Sequence, residues 1–309
     1  MREHKLYVEK YRSKTLDEYV GNDTLKQVIA KYIEQNDIQN LLLYGPPGTG
    51  KTTLAKLLIN NINCDHLYIN ASDERGIETI REKVQGFAST ASFKPLKVII
   101  LDEADFITIQ GQAALRNVIE TYSMSTRFIL TCNFIERIID PLQSRCQVLK
   151  IVPPSKGEVA KHVVTVLEKE NTEYDLDSIK VVVNQFYPDL RKILNTCQLS
   201  THSGKLTLDK SVLIASNYID KVISELIKPT LTSWKTIKQI IADSNISEYD
   251  ELFRSLYDRI EEYSKGNDGE LIILISESQY QSNFRIDKEI NIMACISQIL
   301  KVILKKKVI

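Results

Sequence analysis

The sequence predicts an α/β domain built on a parallel sheet, followed by segments that are mainly helical. Over about the first 150 residues, short apolar runs alternate with stretches of helical periodicity, a pattern typical of a parallel sheet covered on both faces. A glycine-rich loop follows the first run, and two carboxylates follow the third. Ligands of such sheets bind beyond the carboxyl ends of the strands, so both features point to one site.

Each strand of this region is predicted from an apolar run, and each helix from apolar residues at helical spacing. The predicted strands are Asn40–Tyr44, His66–Asn70, Lys97–Leu101, Arg127–Thr131 and Gln147–Val152. The predicted helices between them are Thr53–Asn61, Ile77–Ala88 and Gln112–Tyr122.

Composition excludes several classes of protein. The 309 residues are 43% hydrophobic and 26% charged, and Leu271–Ile275 is about the longest aliphatic run, so we expect no membrane span. Met1–Lys10 lacks the apolar core of a signal peptide. Five scattered cysteines without a C-x-x-C pair fit a reducing cytosol, or a nucleus in a eukaryote, rather than secretion. With 40 basic and 40 acidic residues, any nucleic-acid binding must come from a local patch.

The glycine-rich loop fits G-x-x-x-x-G-K-[ST], the phosphate-binding loop of nucleoside triphosphatases. Its glycines let backbone N–H groups turn toward phosphates, and the following helix N-terminus adds partial positive charge. Lys51 is expected to reach the β- and γ-phosphates of ATP, and Thr52 to ligate Mg²⁺. The predicted nucleotide contacts are Gly45, Pro46, Pro47, Gly48, Thr49, Gly50, Lys51, Thr52 and Thr53.

The third apolar run leads into Asp102-Glu103-Ala104-Asp105, which is the Walker B pattern. Asp102 is expected to bind Mg²⁺ directly or through water. Glu103 is expected to orient and polarise the attacking water, because phosphoryl transfer depends mostly on positioning and electrostatics. An exposed acidic turn is the alternative, and the phosphate loop about fifty residues earlier argues against it.

Two further polar residues follow later strands. Asn133 ends the fourth run, where its amide could hold the lytic water; a turn-forming asparagine is the alternative. Arg145 stands just before the fifth run and could act in trans as an arginine finger, or simply form a surface salt bridge.

Several other segments stand in a specific order: Tyr7–Arg12, Leu16–Asn22, Asn70–Ile77, Ser144–Cys146 and Pro188–Arg191. Together with the two motifs above, they resemble the clamp-loader branch of the AAA+ ATPases. The resemblance is greatest to the small subunits of replication factor C and the large subunit of phage clamp loaders. It covers the family's V-E-K-Y-R-P…V-G-Q opening, its N-A-S-D segment, its S-R-C finger and its G-D-x-R sensor 2 motif.

The resemblance implies roles for individual residues. The opening segment implies adenine contacts from Val8, Glu9, Lys10, Tyr11 and Val20, with Arg12 beside them. Asn133 becomes sensor 1, Arg191 becomes sensor 2 on phosphate, and Arg145 becomes the finger. Ser13 replaces the family's proline, and Pro188 replaces the glycine of sensor 2. Since Pro188 fixes its own φ, it puts the approach of Arg191 to phosphate in question.

The resemblance also implies an AAA+ P-loop parallel sheet core with a small helical lid and an all-α C-terminal collar that joins subunits into a ring. We place these at residues 1–152, 153–215 and 216–309, with Pro153-Pro154 marking the first break. Lid helices are predicted over Lys156–Asn171, Asp177–Asn184 and Leu190–His202, the first capped by Ser155. The segment Tyr249–Phe253 and the final helix resemble phage loaders, which favours a viral source.

DNA contacts are expected from basic residues and helix ends that grip phosphates without reading sequence. The candidates are Arg75, Arg81, Lys83 and Thr108, where Thr108 begins a helix. Gln112 and Arg116 on that helix could couple DNA or a neighbour to Glu103. Lys305–Lys307 is more typical of a solvated end. Each basic residue could instead be an ordinary surface charge.

The predicted function is that of an ATPase subunit in a sliding-clamp loader, with ATP and Mg²⁺ as cofactors. The family implies other clamp-loader subunits in a hetero-pentameric ring, a sliding clamp and primer-template DNA as partners. A helicase is disfavoured, because the chain has one phosphate loop and no second motor domain is evident. A ring subunit that binds ATP without hydrolysing it is disfavoured by intact Lys51, Thr52, Asp102 and Glu103.

Overall fold

A computed structural model describes residues 6–305 except positions 75, 77, 79, 209, 245, 247, 248 and 283, and leaves out the side chains at 80, 81, 210–217 and 305. The chain forms two compact units, residues 1–206 and 207–309. Among the helices of the described residues, none combines the length and apolar character needed to cross a membrane.

Five parallel strands form the sheet of the first unit, which confirms the predicted fold class. The strands are β1 (Leu41–Tyr44), β2 (Cys64–Asn70), β3 (Leu96–Asp102), β4 (Thr126–Cys132) and β5 (Gln147–Lys150). Their order across the sheet is β2-β3-β4-β1-β5. Strand β3 lies inside the sheet between β2 and β4, and all seven of its residues are buried, as its near-continuous apolar run requires.

Both faces of the sheet are covered by apolar layers. Successive residues of a strand point to opposite faces, so Leu41 and Leu43 pack into one layer while Leu42 packs into the other. The helices of this region are α1 (Tyr7–Lys10), α2 (Asp23–Gln35), α3 (Lys51–Asn61), α4 (Gln85–Ser89), α5 (Ile109–Thr121) and α6 (Asp140–Gln143).

The predicted helix over Ile77–Ala88 differs in detail. A π-helical turn, Ile80–Val84, leads into α4, while positions 77 and 79 of the predicted helix lie outside the described residues. Thr108 caps α5, as expected, because its side chain accepts a hydrogen bond from the N–H of Gly111 at 3.2 Å.

Three helices follow the sheet: α7 (Lys156–Lys169), α8 (Leu176–Phe186) and α9 (Leu190–Leu199). Ser155 and Glu158 form a capping box at the start of α7. The prediction that the third helix continues to His202 is wrong. Thr201–His202 (β6) instead pairs antiparallel with Lys205–Leu206 (β7). Positive φ at Ser203 (52°) and Gly204 (78°) is the geometry of a two-residue hairpin turn.

The second unit is helical throughout its described elements. They are α10 (Lys210–Ile227), α11 (Ser233–Ser244), α12 (Asp250–Asp258), α13 (Ile260–Tyr263), α14 (Asp268–Ser282) and α15 (Lys288–Lys305). A separate apolar core, which includes Tyr263, Phe253 and Leu252, holds them together. The predicted boundary after residue 215 falls inside α10.

Candidate functional site

The loop between β1 and α3 depends on glycine. Gly48 and Gly50 have φ of 73° and 91°, a left-handed conformation that L side chains rarely adopt. A Cβ atom on Gly48 would also lie 2.0 Å from the Asp189 carboxylate, so the loop passes close to the start of α9. Gly50 directly precedes Lys51, the first residue of α3, whose first-turn N–H groups have no partner within the helix.

Lys51 is folded into this loop. It is buried, and its Nζ donates to the backbone oxygens of Gly45 at 2.8 Å and Pro46 at 2.7 Å. Both acceptors are neutral carbonyls. Burial lowers the pKa of Lys51, while nearby acidic groups act in the opposite direction. The ammonium group is therefore partly desolvated in a position where an anion could approach.

The carboxylate of Asp102, at the end of β3, lies at the centre of a hydroxyl cluster. Thr52 Oγ1 donates to its two oxygens at 2.8 and 3.0 Å. Thr131 Oγ1 donates to Oδ1 at 2.5 Å, and the Tyr68 hydroxyl donates to Oδ2 at 2.7 Å. Only 6% of Asp102 is exposed, so these bonds compensate for the burial of its charge. The cluster joins the phosphate-loop motif to the Walker B motif.

The residues that follow Asp102 are held by strand β4. Glu103 has φ of 57°, a conformation uncommon outside glycine, and its N–H donates to Thr131 Oγ1 at 3.0 Å. The buried Asp105 accepts from the N–H groups of Asn133 and Phe134, both at 3.3 Å. Strands β3 and β4 therefore hold Glu103 and Asn133 at one edge of the sheet.

A single cleft brings most predicted contacts together. Those that line it are Val8, Tyr11, Arg12, Val20, Pro47, Gly48, Thr49, Gly50, Lys51, Thr52, Thr53, Asp102, Glu103, Asn133 and Arg191. Arg191 is exposed and belongs to the lining of the cleft, although Pro188 stands three residues before it. Its contact with phosphate stays a prediction.

Five of the predicted catalytic and nucleotide-binding residues do not line this cleft: Glu9, Lys10, Gly45, Pro46 and Arg145. Glu9 accepts from Arg12 at 2.5 Å, and Lys10 pairs with Glu170 at 2.8 Å. Gly45 and Pro46 contribute carbonyls to Lys51 instead. The adenine contacts implied for Glu9 and Lys10 therefore find no support from their side chains.

Several lining residues were not singled out from the sequence. Tyr19 packs beside Gly50 and its hydroxyl lies 3.5 Å from the Thr49 carbonyl oxygen. Thr131 and His162 also line the cleft. Burial lowers the pKa of His162. Thr131 could have been found, because it stands at the carboxyl end of the strand that follows the Walker B strand. Tyr19 and His162 do not stand at the carboxyl end of a predicted strand, so the sequence gives no comparable indication for them.

Arg145 lies at the opposite edge of the sheet. It precedes β5, whose first residue Gln147 pairs with Leu41 at the start of β1. Its guanidinium forms an ion pair with Glu120 and donates to the Pro141 carbonyl oxygen at 2.6 Å. One third of the side chain is exposed. Arg145 is thus distant from the cleft of its own chain and open to a neighbour.

Most of the basic residues considered for DNA contacts lie wholly or partly outside the described residues. Arg75, the Arg81 side chain and Lys306–Lys307 lie outside the described residues, as does the Lys305 side chain. Lys83 is exposed and pairs with Glu74 at 2.6 Å.

Gln112 and Arg116, which were expected to couple DNA or a neighbour to Glu103, have different surroundings. Gln112 is buried, donates to the carbonyls of Ile107 and Arg137, and accepts from Ile139 N–H. It links α5 to the segment after β4, and its amide makes no direct DNA contact while these bonds hold. Arg116 donates to Asn117 Oδ1 at 3.0 and 3.3 Å.

Comparisons with known proteins agree with this geometry. Residues 41–154, from β1 to just beyond β5, match the family described as "ATPase family associated with various cellular activities (AAA)". The replication factor C small subunit of Archaeoglobus fulgidus is 40% identical over 239 residues, 75% of each chain. That of Saccharolobus solfataricus is 33% identical over 309 residues, 95% of this chain and 93% of its own. The chain belongs to the replication factor C small subunit family. Like its relatives in the AAA family, this family member is an ATP hydrolase.

A solved structure extends the likeness in fold. The Thermotoga maritima RuvB Holliday junction branch migration motor superposes with a TM-score of 0.57 at 15% identity, over 80% of this chain and 91% of its own. At that identity the likeness concerns the fold alone. The two relatives described above are archaeal, so a viral source for this replication factor C family member stays a prediction.

The bridging hydroxyl of Thr131 gives a test of the site. Thr131→Val keeps the shape but removes the bond to Asp102 and the acceptor of Glu103 N–H. Since partners of site carboxylates typically matter by a factor of about 10–100, we expect ATP turnover to fall about tenfold or more. Stability in urea should fall by about 1–3 kcal/mol, because buried polar groups lose their partner.

Thr126→Val is the matched control, because Thr126 is equally buried at the other end of the same strand. It should affect stability without a comparable loss of turnover. Equal losses of turnover in the two variants would contradict a specific role for Thr131.

Proposed function

We propose that this chain is an ATPase subunit of a DNA polymerase sliding-clamp loader, which uses ATP binding and hydrolysis to open the clamp and load it on primer-template DNA. The replication factor C relatives support this assignment over most of the chain. The observation that carries the ATPase part is the hydrogen bond from Thr52 Oγ1 to Asp102 at 2.8 Å. It brings the phosphate loop and the carboxylate motif into one cleft.

The loop residues bind the triphosphate. Lys51 exchanges its neutral carbonyl partners for the β- and γ-phosphates, and its low hydration in the loop favours that exchange. The N–H groups at the start of α3 add donors for the phosphate oxygens. Arg191, which lines the same cleft from α9, contacts phosphate from the other side.

The residues present fit a magnesium ion. Thr52 and Asp102 place oxygen donors within 3.0 Å of one another, and oxygen is the ligand type that Mg²⁺ takes. When bound, Mg²⁺ neutralises charge on the phosphates during transfer. Thr52 and Asp102 would hold it.

Glu103 and Asn133 serve the attacking water. Both line the cleft. Glu103 is held by Thr131 of β4, and Asn133 is held by Asp105, which follows β3. The Glu103 carboxylate accepts a hydrogen bond from water and orients it toward the γ-phosphate, while Asn133 holds that water in place.

The Glu103→Gln variant tests hydrolysis directly. The amide keeps the size of the side chain but cannot polarise water as a carboxylate does, so single-turnover hydrolysis should fall by a factor of about 10²–10⁴. ATP binding should remain, and the loader should stay trapped on clamp and primer-template DNA. Glu34→Gln, an exposed position on α2, is the control. Normal turnover in Glu103→Gln would place the catalytic carboxylate elsewhere.

We further propose that Arg145 acts on the ATP of a neighbouring subunit. It does not line the cleft of its own chain, it lies at the opposite edge of the sheet, and its guanidinium is partly exposed. Within its own chain the guanidinium is paired with Glu120, and it would exchange that partner for the phosphate of a neighbour's ATP. A second subunit that packs its cleft against this edge would receive the arginine.

The trans assignment predicts a separation of binding from hydrolysis. Arg145→Ala should leave ATP binding by the isolated subunit nearly intact, and hydrolysis by the assembled ring should fall about 10³-fold or more. Arg254→Ala is the matched control and should have little effect, because Arg254 on α12 is exposed and also forms an ion pair, with Asp258. Mixing Arg145→Ala with Lys51→Ala subunits should restore some hydrolysis where an intact cleft meets an intact arginine. Impaired ATP binding in the same subunit, with no rescue in any mixture, would show that Arg145 acts in cis.

DNA is proposed to bind through its phosphates at the residues near α4 and α5. The observations are the exposed Lys83 and the capped N-terminus of α5 at Thr108. Arg75 and Arg81 stay candidates on the sequence alone. Because the chain has no net charge, affinity must come from such local groups.

Salt dependence tests the DNA assignment. Lys83→Ala should weaken primer-template binding at any sequence and reduce the slope of log affinity against log salt by about one, because one fewer phosphate is neutralised. Lys180→Ala is the control, since Lys180 is also exposed and ion-paired but lies on α8. A slope that is unchanged in Lys83→Ala, or reduced equally in Lys180→Ala, would refute this DNA path.

A further inference from the structure

Tyr68 contacts the Asp102 carboxylate from strand β2. In the β2–β3 register Tyr68 stands opposite Ile100, and Asp102 lies two residues further along on the same face of the sheet. The long tyrosine side chain spans this offset, and its hydroxyl donates to Asp102 Oδ2 at 2.7 Å. About 39% of Tyr68 is exposed, so this side chain is placed at the border of the site rather than in the core.

The three hydroxyls around Asp102 divide its two oxygens between them. Oδ1 accepts from Thr131, Oδ2 accepts from Tyr68, and Thr52 shares its single hydroxyl proton between the two. An ionised carboxylate has about four acceptor sites. The donors approach from three directions, because they belong to β4, β2 and the first turn of α3. Together they fix the plane of the carboxylate.

The Tyr68 hydroxyl is a dependable donor. A phenolic hydroxyl keeps its proton at neutral pH, so Tyr68 can donate it to the carboxylate. The Tyr68 ring is also contacted by Lys56 on α3, whose Nζ lies 4.7 Å from the ring centroid.

We propose that Tyr68 is a positioning residue that orients Asp102 toward the divalent cation bound with the nucleotide. This inference rests on the proposed function, which assigns the cation to Thr52 and Asp102. Carboxylates that ligate metals are themselves held by hydrogen bonds, and the loss of such a partner typically costs about 10–100-fold in metal affinity. Without the Tyr68 hydroxyl, Oδ2 keeps only its share of the Thr52 proton, and the carboxylate can rotate about its terminal bond.

Metal affinity measured apart from catalysis tests this role. The full chain is loaded with ADP and titrated with Mn²⁺ as the probe, and the free metal is followed by electron paramagnetic resonance. Tyr68→Phe keeps the ring over Lys56 and removes only the hydroxyl. We expect Mn²⁺ to bind about tenfold more weakly, with the affinity for ADP in the absence of divalent cations unchanged.

Tyr174→Phe is the matched control, because its hydroxyl also donates to a carboxylate, that of Glu168 at 3.1 Å, away from the cleft. It should leave Mn²⁺ affinity unchanged. Unchanged Mn²⁺ affinity in Tyr68→Phe, or an equal loss in Tyr174→Phe, overturns the role of Tyr68. The Thr52→Val variant distinguishes a wrong cation site from a wrong role of Tyr68. If that variant also keeps full Mn²⁺ affinity, the proposed cation site itself is wrong, whereas loss in Thr52→Val alone refutes only the inference about Tyr68.

Discussion

The carboxylate of Asp102 is the constraint on which the rest of the site depends. It is buried at the end of β3, an interior strand of the sheet, and a buried charge is costly unless its oxygens accept hydrogen bonds. Hydroxyls from β2, β4 and the first turn of α3 meet that requirement together. The hydrogen bonds that offset the cost of burying this charge therefore also fix β2, β4 and the start of α3 around Asp102.

This arrangement follows from the order of the strands. Because β3 lies between β2 and β4, the carboxyl end of β3 has a neighbour on each side, and Asp102 lies one step beyond the Leu101–Leu130 pair. The apolar layers on both faces hold the strands rigidly, since interiors packed from Leu41, Ile99 and Phe128 leave little freedom for sliding. The packed strands therefore fix the positions of the polar side chains at their carboxyl ends. Thr131 also fixes the backbone of Glu103, because its hydroxyl accepts a hydrogen bond from the Glu103 N–H.

Much of this organisation could be predicted from the sequence. Five apolar runs indicated the five parallel strands, and the glycine pattern placed the loop before α3, because such local signals need only periodicity and turn chemistry. The capping residues Ser155 and Thr108 were also found, since a cap is a local hydrogen bond.

Contacts that depend on register could not be predicted. Tyr68 reaches Asp102 only because β2 and β3 pair with a particular offset, and a tyrosine in a strand otherwise fits any pleated surface. The partner of Lys10 is Glu170, more than 150 residues away in sequence, while its implied adenine contact stays a prediction. The third helix after the sheet was expected to continue to His202, but Ser203 and Gly204 turn the chain into a hairpin. The helical spacing of apolar residues does not reveal such a turn.

The roles assigned to the site residues meet their most direct test in a crystal structure of this chain with Mg²⁺ and a non-hydrolysable ATP analogue. We expect the metal against the Thr52 hydroxyl and the Asp102 carboxylate, directly or through water, with Lys51 on the β- and γ-phosphates. Thr131 and Tyr68 should keep their hydrogen bonds to Asp102. A nucleotide bound outside this cleft, or a metal held without Thr52 and Asp102, would show that these roles are wrong.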